Sequence, residues 1–142
     1  MMQFRSRRIA RLPRSLLARL RNGLSSLWLG RNLADRGSSV LIEPGASIVG
    51  ASRIRLGSGT RVLAGVRLWA TDRGTIEIGA RTYVGSHTWI VANASVRVGA
   101  DVLIAPFCYI QDTDHGFADP TIPINRQESQ SSEIVIEDDV WL

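Results

Sequence analysis

The sequence predicts an all-β body of short parallel strands wound into a stacked, three-sided coil. An amphipathic helix precedes it and one protruding loop interrupts it. Three observations predict this. Four stretches, IRLGSG (54–59), IEIGAR (76–81), VRVGAD (96–101) and IVIEDD (134–139), all open aliphatic–any–aliphatic. Further aliphatics follow at steps of six, as in Leu56, Val62, Leu68 and in Ile78, Val84, Ile90. The repeat starts lie 22, 20 and 38 residues apart, so one unit is about three hexads and the last carries about 18 extra residues.

The first element is a basic arm, residues 1–36. It holds nine arginines and one acid, whereas residues 37–142 hold eight arginines and twelve acids. A basic arm on a mildly acidic body is not the footprint of a nucleic-acid-binding domain, and no nucleic-acid partner is expected. Ile9, Leu12, Leu16, Leu17, Leu20, Leu24 and Leu27 recur at three- and four-residue steps, which is one apolar stripe on a helix. Pro13 suits a first turn, so the main helix is placed at about 13–29, ending near Gly30, with Arg14, Arg19 and Arg21 on the opposite face. No apolar run approaches the ~20 residues that span a bilayer. Two readings stand: peripheral membrane contact through residues 1–30, or packing on the body or on a partner subunit.

The body follows, residues 37–142. A period of six does not fit a helix; it fits strands that turn every six residues. Aliphatics at hexad starts point inward. Four positions later a smaller or moderate residue also points inward: Ala46, Ser52, Thr60, Val66, Thr82, Thr88, Ala94, Val102 and Cys108. Stacked units pair strand on strand and bury one another's faces. A sandwich of hairpins is disfavoured, because Asn-Gly and Asp-Gly turn signals are absent from residues 37–142. The extra residues form the loop, at about 112–132, which carries one of the two histidines.

These repeats resemble the hexapeptide-repeat acyltransferases over about residues 40–142. The match is closest to sugar O-acetyltransferases of the maltose and galactoside type and to relatives that decorate bacterial polysaccharide. It rests on VGADVLIAPFCYIQDTDH (98–115), then Pro120, Pro123 and Arg126, then IVIEDDVWL (134–142). The resemblance implies a left-handed parallel β-helix, a homotrimer with sites between subunits, and acetyl transfer from acetyl-CoA to a sugar hydroxyl. The acceptor would be a cell-surface polysaccharide or its precursor, and the protein cytoplasmic, at the inner face of the membrane. The family's basic residue opens the loop, which here is His115. Trp141 matches a tryptophan that helps wall the acetyl-CoA pocket. His87 falls where the maltose and galactoside enzymes place an asparagine near the acceptor, a departure from the pattern. The family also continues for several coils beyond this point, so the chain is expected to be truncated at its C-terminus and its acetyl-CoA site incomplete.

The chemistry suits the assignment. A sugar hydroxyl needs its proton removed as it attacks a thioester, and histidine, with an ordinary pKa of about 6.5, can take that proton. A carboxylate on the other ring nitrogen would fix the tautomer. Asp112 and Asp114 are both candidates to orient the base, and Arg126 and His87 are candidates to bind substrate. Cys108 falls at an inward position and reads as core. No metal is expected, since a zinc site of the β-helix carbonic anhydrase type needs three histidines and the chain has two. The alternative to an enzyme is a truncated, non-catalytic β-helix that serves as a trimerisation or binding scaffold.

Overall fold

The six-residue period becomes geometry because each turn of the coil places one strand on each of three faces. The computed structural model describes residues 14–142. The first face stacks β1 (Asp35–Arg36), β4 (Ile54–Leu56), β7 (Thr75–Ile78), β10 (Ser95–Val98) and β15 (Ile134–Ile136). The second stacks β2 (Leu41–Ile42), β5 (Arg61–Val62), β8 (Tyr83–Val84) and β11 (Leu103–Ile104). The third stacks β3 (Ser47–Val49), β6 (Arg67–Ala70), β9 (Trp89–Ala92) and β12 (Tyr109–Gln111). Within the faces all pairing is parallel, and the register follows the sequence repeat: Ile54 lies beside Ile76, Val96 beside Ile76, and Ile134 beside Val96. The coil is a left-handed β-helix of about four turns.

The core is the column of inward residues. Ile42, Val62, Val84 and Ile104 line the second face, and each is 0% exposed. Ile54, Ile76 and Val96 do the same on the first face, Leu68 and Ile90 on the third. The inward threonines are tolerated because each hydroxyl reaches a carbonyl one coil on. Thr60 Oγ1 donates to Gly79 O at 2.9 Å, Thr82 Oγ1 to Gly99 O at 2.8 Å and Thr88 Oγ1 to Ala105 O at 3.0 Å.

Three corners join the faces, and they differ. The first and second are uniform, each turning through a residue with positive φ: Ser39, Gly59, Arg81, Asp101 and Asp139 at one, Gly45, Gly65, His87 and Phe107 at the other. The third corner absorbs every change in repeat length. It holds Gly50 and the short 3-10 turn Ala51–Arg53, then residues 71–74, then Asn93–Ala94, then the long excursion 112–133. Ser52, expected inward, is exposed, because the 3-10 turn Ala51–Arg53 replaces extended backbone there while the six-residue step from Ile48 to Ile54 is kept.

The helix α1 spans Arg14–Gly30; Ile9, Leu12 and Pro13 lie outside the described residues. It packs on β2 at the start of the coil. Buried Ser26 uses its hydroxyl twice: it accepts from Ile42 N at 2.7 Å and donates to Ile42 O at 3.2 Å. The open edge of the first coil thus finds partners for Ile42 in the helix.

Candidate functional site

The excursion begins with a fastening. Asp112 is buried, 4% exposed, and its two oxygens accept from Asn93 N at 2.8 Å and Ala94 N at 2.7 Å. Those are the two residues that form the same corner one coil earlier. Ser132 N donates to Asp112 O at 3.0 Å, so the loop leaves and returns at one point. Asn93 Nδ2 donates to Thr113 Oγ1 at 2.7 Å, and Thr113 Oγ1 meets Ser131 Oγ at 2.8 Å.

From this base rises an antiparallel ribbon, β13 (Thr113–Asp114) against β14 (Gln130–Ser131). Continuing the register one step sets His115 across from Ser129, and His115 Nδ1 lies 3.1 Å from Ser129 Oγ. Gly116 N then donates to Glu128 O at 3.1 Å. Only glycine fits there, since a Cβ would come within 2.5 Å of that carbonyl oxygen. His115 is exposed, and its Nε2 has no hydrogen-bond partner among the described residues.

The tip is cross-linked by its own polar groups. Gln127 Nε2 donates to Asp119 O and to Ile122 O, both at 2.9 Å, and Gln127 Oε1 accepts from Asp119 N at 3.1 Å. The hydroxyl and backbone N–H of Thr121 both donate to the Asp119 carboxylate and hold it below the usual carboxylate range. Phe117, Ile122 and Ile124 are exposed around an open hollow that also includes Pro120 and Pro123. Arg126 ends the 3-10 turn Ile124–Arg126 and is exposed.

The residues singled out from sequence fall into two groups. His115, Asp112, Asp114 and Arg126 belong to the excursion at the third corner. Neither aspartate is hydrogen-bonded to the ring: Asp112 is committed to the backbone of Asn93 and Ala94, and Ser129 meets Nδ1 instead. Sequence reasoning missed Ser129, and only the ribbon register reveals it.

His87 and Trp141 lie elsewhere. His87 turns the second corner at φ 60°, stacks on Phe107 with ring centres 5.2 Å apart, and covers Gly65, where a Cβ would meet its ring at 2.4 Å. Trp141 is 81% exposed on the second face, bridged to Leu103. In a three-sided prism the second face is opposite the third corner. One chain therefore does not bring His115 and Trp141 together.

Cys108 is half-buried against the core, its N–H donating to Thr88 Oγ1 at 3.2 Å. Among the described residues no group of three or more His, Cys, Asp or Glu could hold a metal ion.

No protein-family model matches the chain, and no curated protein does. Solved structures do. One is AntD, an N-acyltransferase from Bacillus cereus, in complex with dTDP and 3-hydroxybutyryl-CoA; the TM-score is 0.67 at 19% identity, over 78% of this chain and 60% of that one. A point mutant of AntD with dTDP and coenzyme A matches over 92% of this chain and 65% of that one, at TM-score 0.66 and 17% identity. What they share with this chain is the fold. The chain spans less than two thirds of the AntD structures it matches, with 60% and 65% covered.

Proposed function

We propose that this protein transfers an acetyl group from acetyl-CoA to a sugar hydroxyl, on a cell-surface polysaccharide or its precursor, with His115 as general base. The observation that carries the reading is the His115–Ser129 contact on the one projecting ribbon. With Nδ1–H donating to Ser129 Oγ, Nε2 holds the lone pair and faces outward. The likeness in fold to AntD adds support, because those structures hold an acyl-CoA or coenzyme A together with dTDP or a dTDP-sugar.

In this reaction acetyl-CoA supplies the thioester carbonyl. His115 Nε2 accepts the hydroxyl proton as the sugar oxygen attacks that carbon. The C–O bond forms, the C–S bond breaks, and the protonated ring returns its proton to the departing sulfur. Ser129 Oγ can accept from Nδ1–H in the neutral ring and again in the imidazolium, so one contact serves both states. Arg126, an exposed cation on the same loop, suits a phosphate or carboxylate of the acceptor.

The separation of His115 from Trp141 argues for a site shared between copies, with the loop of one protomer laid against the second face of another. A homotrimer about a threefold axis that runs beside and parallel to the coils allows this for all three copies at once. His87 and Phe107, at the edge of the second face, would then border the acceptor.

The test is incubation of the chain with acetyl-CoA and a panel of sugars and sugar nucleotides, with acetylated product followed by mass spectrometry. Acetyl transfer that His115→Ala lowers by at least about 100-fold is expected. Transfer at an unchanged rate in that variant removes the base role. Mixing His115→Ala with Trp141→Ala protomers should restore part of the activity if the site is shared, and should restore none if each chain works alone.

A further inference from the structure

The helix α1 is mounted with its apolar side away from the body. An amphipathic helix ordinarily buries its apolar stripe against the core. Here buried Ser26 and half-buried Asn22 and Leu29 lie toward the coil. At about 100° per residue, Leu27, Leu20, Leu24, Leu17 and Trp28 fall roughly 100–200° around the axis from Ser26. Their exposures are 63%, 51%, 68%, 50% and 70%. Leu16, at 39%, borders the same stripe. Five leucines and a tryptophan in one continuous strip on a 17-residue helix form a patch that water does not favour.

The charge around the strip selects what covers it. Residues 1–34 contain eight arginines and no acid. Exposed Arg21 falls roughly 220° from Ser26 and borders the strip beside Trp28, not opposite the leucines as expected; Arg19, roughly 20° from Ser26, is exposed on the body side, and exposed Arg31 follows the helix end. A second copy of the same helix would set arginine against arginine with no carboxylate to answer. An anionic lipid surface answers both features, taking the leucines among its acyl chains and the guanidinium groups among its headgroups. Trp28 at the end of the strip has the amphipathic ring that favours that boundary. No described helix is long and apolar enough to cross a membrane, so the helix would lie in the plane of the surface.

We infer that α1 docks the protein on an anionic membrane surface through Leu17, Leu20, Leu24, Leu27 and Trp28, independently of any acyl transfer. The full chain should sediment with vesicles of phosphatidylcholine mixed with phosphatidylglycerol at least about tenfold more tightly than with phosphatidylcholine alone. The variant L20S/L24S removes apolar surface that supports no part of the fold. It should keep the wild-type thermal melt and bind the mixed vesicles at least about tenfold more weakly. Absence of binding to the mixed vesicles overturns the inference. So does equal binding by the variant, which would leave the arginines alone responsible. A lower oligomeric state for L24E in lipid-free buffer, read by sedimentation velocity, overturns it too, since the strip would then belong between copies of the chain.

Discussion

From Asp35 to Gln111 most strands bury one side, and the inward aliphatics are close to 0% exposed except Ile48 and Ile110, half-buried at the two ends of the third face. From residue 113 to residue 133 no side chain is buried at all. The two regions are ordered by different forces. The coils stand on burial and on strand pairing, repeated at each turn. The excursion stands on hydrogen bonds: Asp112 at its base, Gln127 and Asp119 at its tip, Ser129 on its histidine. Polar groups, including one of the two histidines, are gathered where the repeat stops. Scaffold and candidate chemistry therefore occupy separate stretches of one sequence, so each can be damaged without the other.

The largest effect should come from the coils. Leu68, 0% exposed on the third face, should cost about 2–5 kcal/mol when replaced by alanine, read by urea denaturation. A loss below about 1 kcal/mol would mean the coil relaxes into the cavity and burial is not what holds it. Next is His115→Ala, which should lower the acetyl-transfer rate by at least about 100-fold, or about 2.7 kcal/mol of barrier, with an unchanged denaturation midpoint. A shifted midpoint would break the separation of the two regions.

Asp112→Ala sits on the boundary between them. It strips two backbone N–H groups of their acceptor, a loss of about 1–3 kcal/mol. Limited proteolysis should then cut between residues 112 and 133 first, before the coils open. Ser129→Ala should be milder, with a rate loss under about tenfold that falls on kcat rather than KM and that Ser129→Thr restores. A loss that Ser129→Thr does not restore would make Ser129 merely structural.

The smallest effect is at the first corner, where Arg81 Nε donates to Asp101 Oδ1 at 2.6 Å. That hydrogen bond holds the Asp101 carboxyl below its ordinary value of 3.8. A carboxyl depressed in the folded state stabilises it above the unfolded pKa, and the benefit is lost as pH falls below that value. Both groups are exposed, so Asp101→Asn should remove only a slight acid dependence of the melting temperature.

Much of the coil was legible because its signal repeats. Ile54, Ile76, Val96 and Ile134 announce one face by their shared pattern, and the structure stacks all four. The reading failed at Ser52, because a 3-10 turn replaces extended backbone at Ala51–Arg53 and turns that side chain outward without changing the six-residue step. The position of His115 at the start of the loop was legible, but its partner was not. Asp112 and Asp114 are its neighbours in sequence, whereas Ser129 reaches it only through a ribbon register that spans 14 residues. The orientation of α1 was equally hidden. Periodicity reveals an apolar stripe, but the side that meets the body depends on Ser26 finding the open edge at Ile42.

One deletion tests the separation of scaffold from chemistry directly. The excursion makes its repeat 18 residues longer than the one before, and Ser132 N already contacts Asp112 O at 3.0 Å. Deleting residues 114–131 joins Thr113 to Ser132 and restores the 20-residue spacing of the preceding coil. The measurement is acetyl transfer by this variant beside its thermal melt by circular dichroism. A β spectrum and a cooperative melt like the parent's are expected, with transfer reduced to background. Transfer that survives the deletion, or a fold that does not, would contradict that separation.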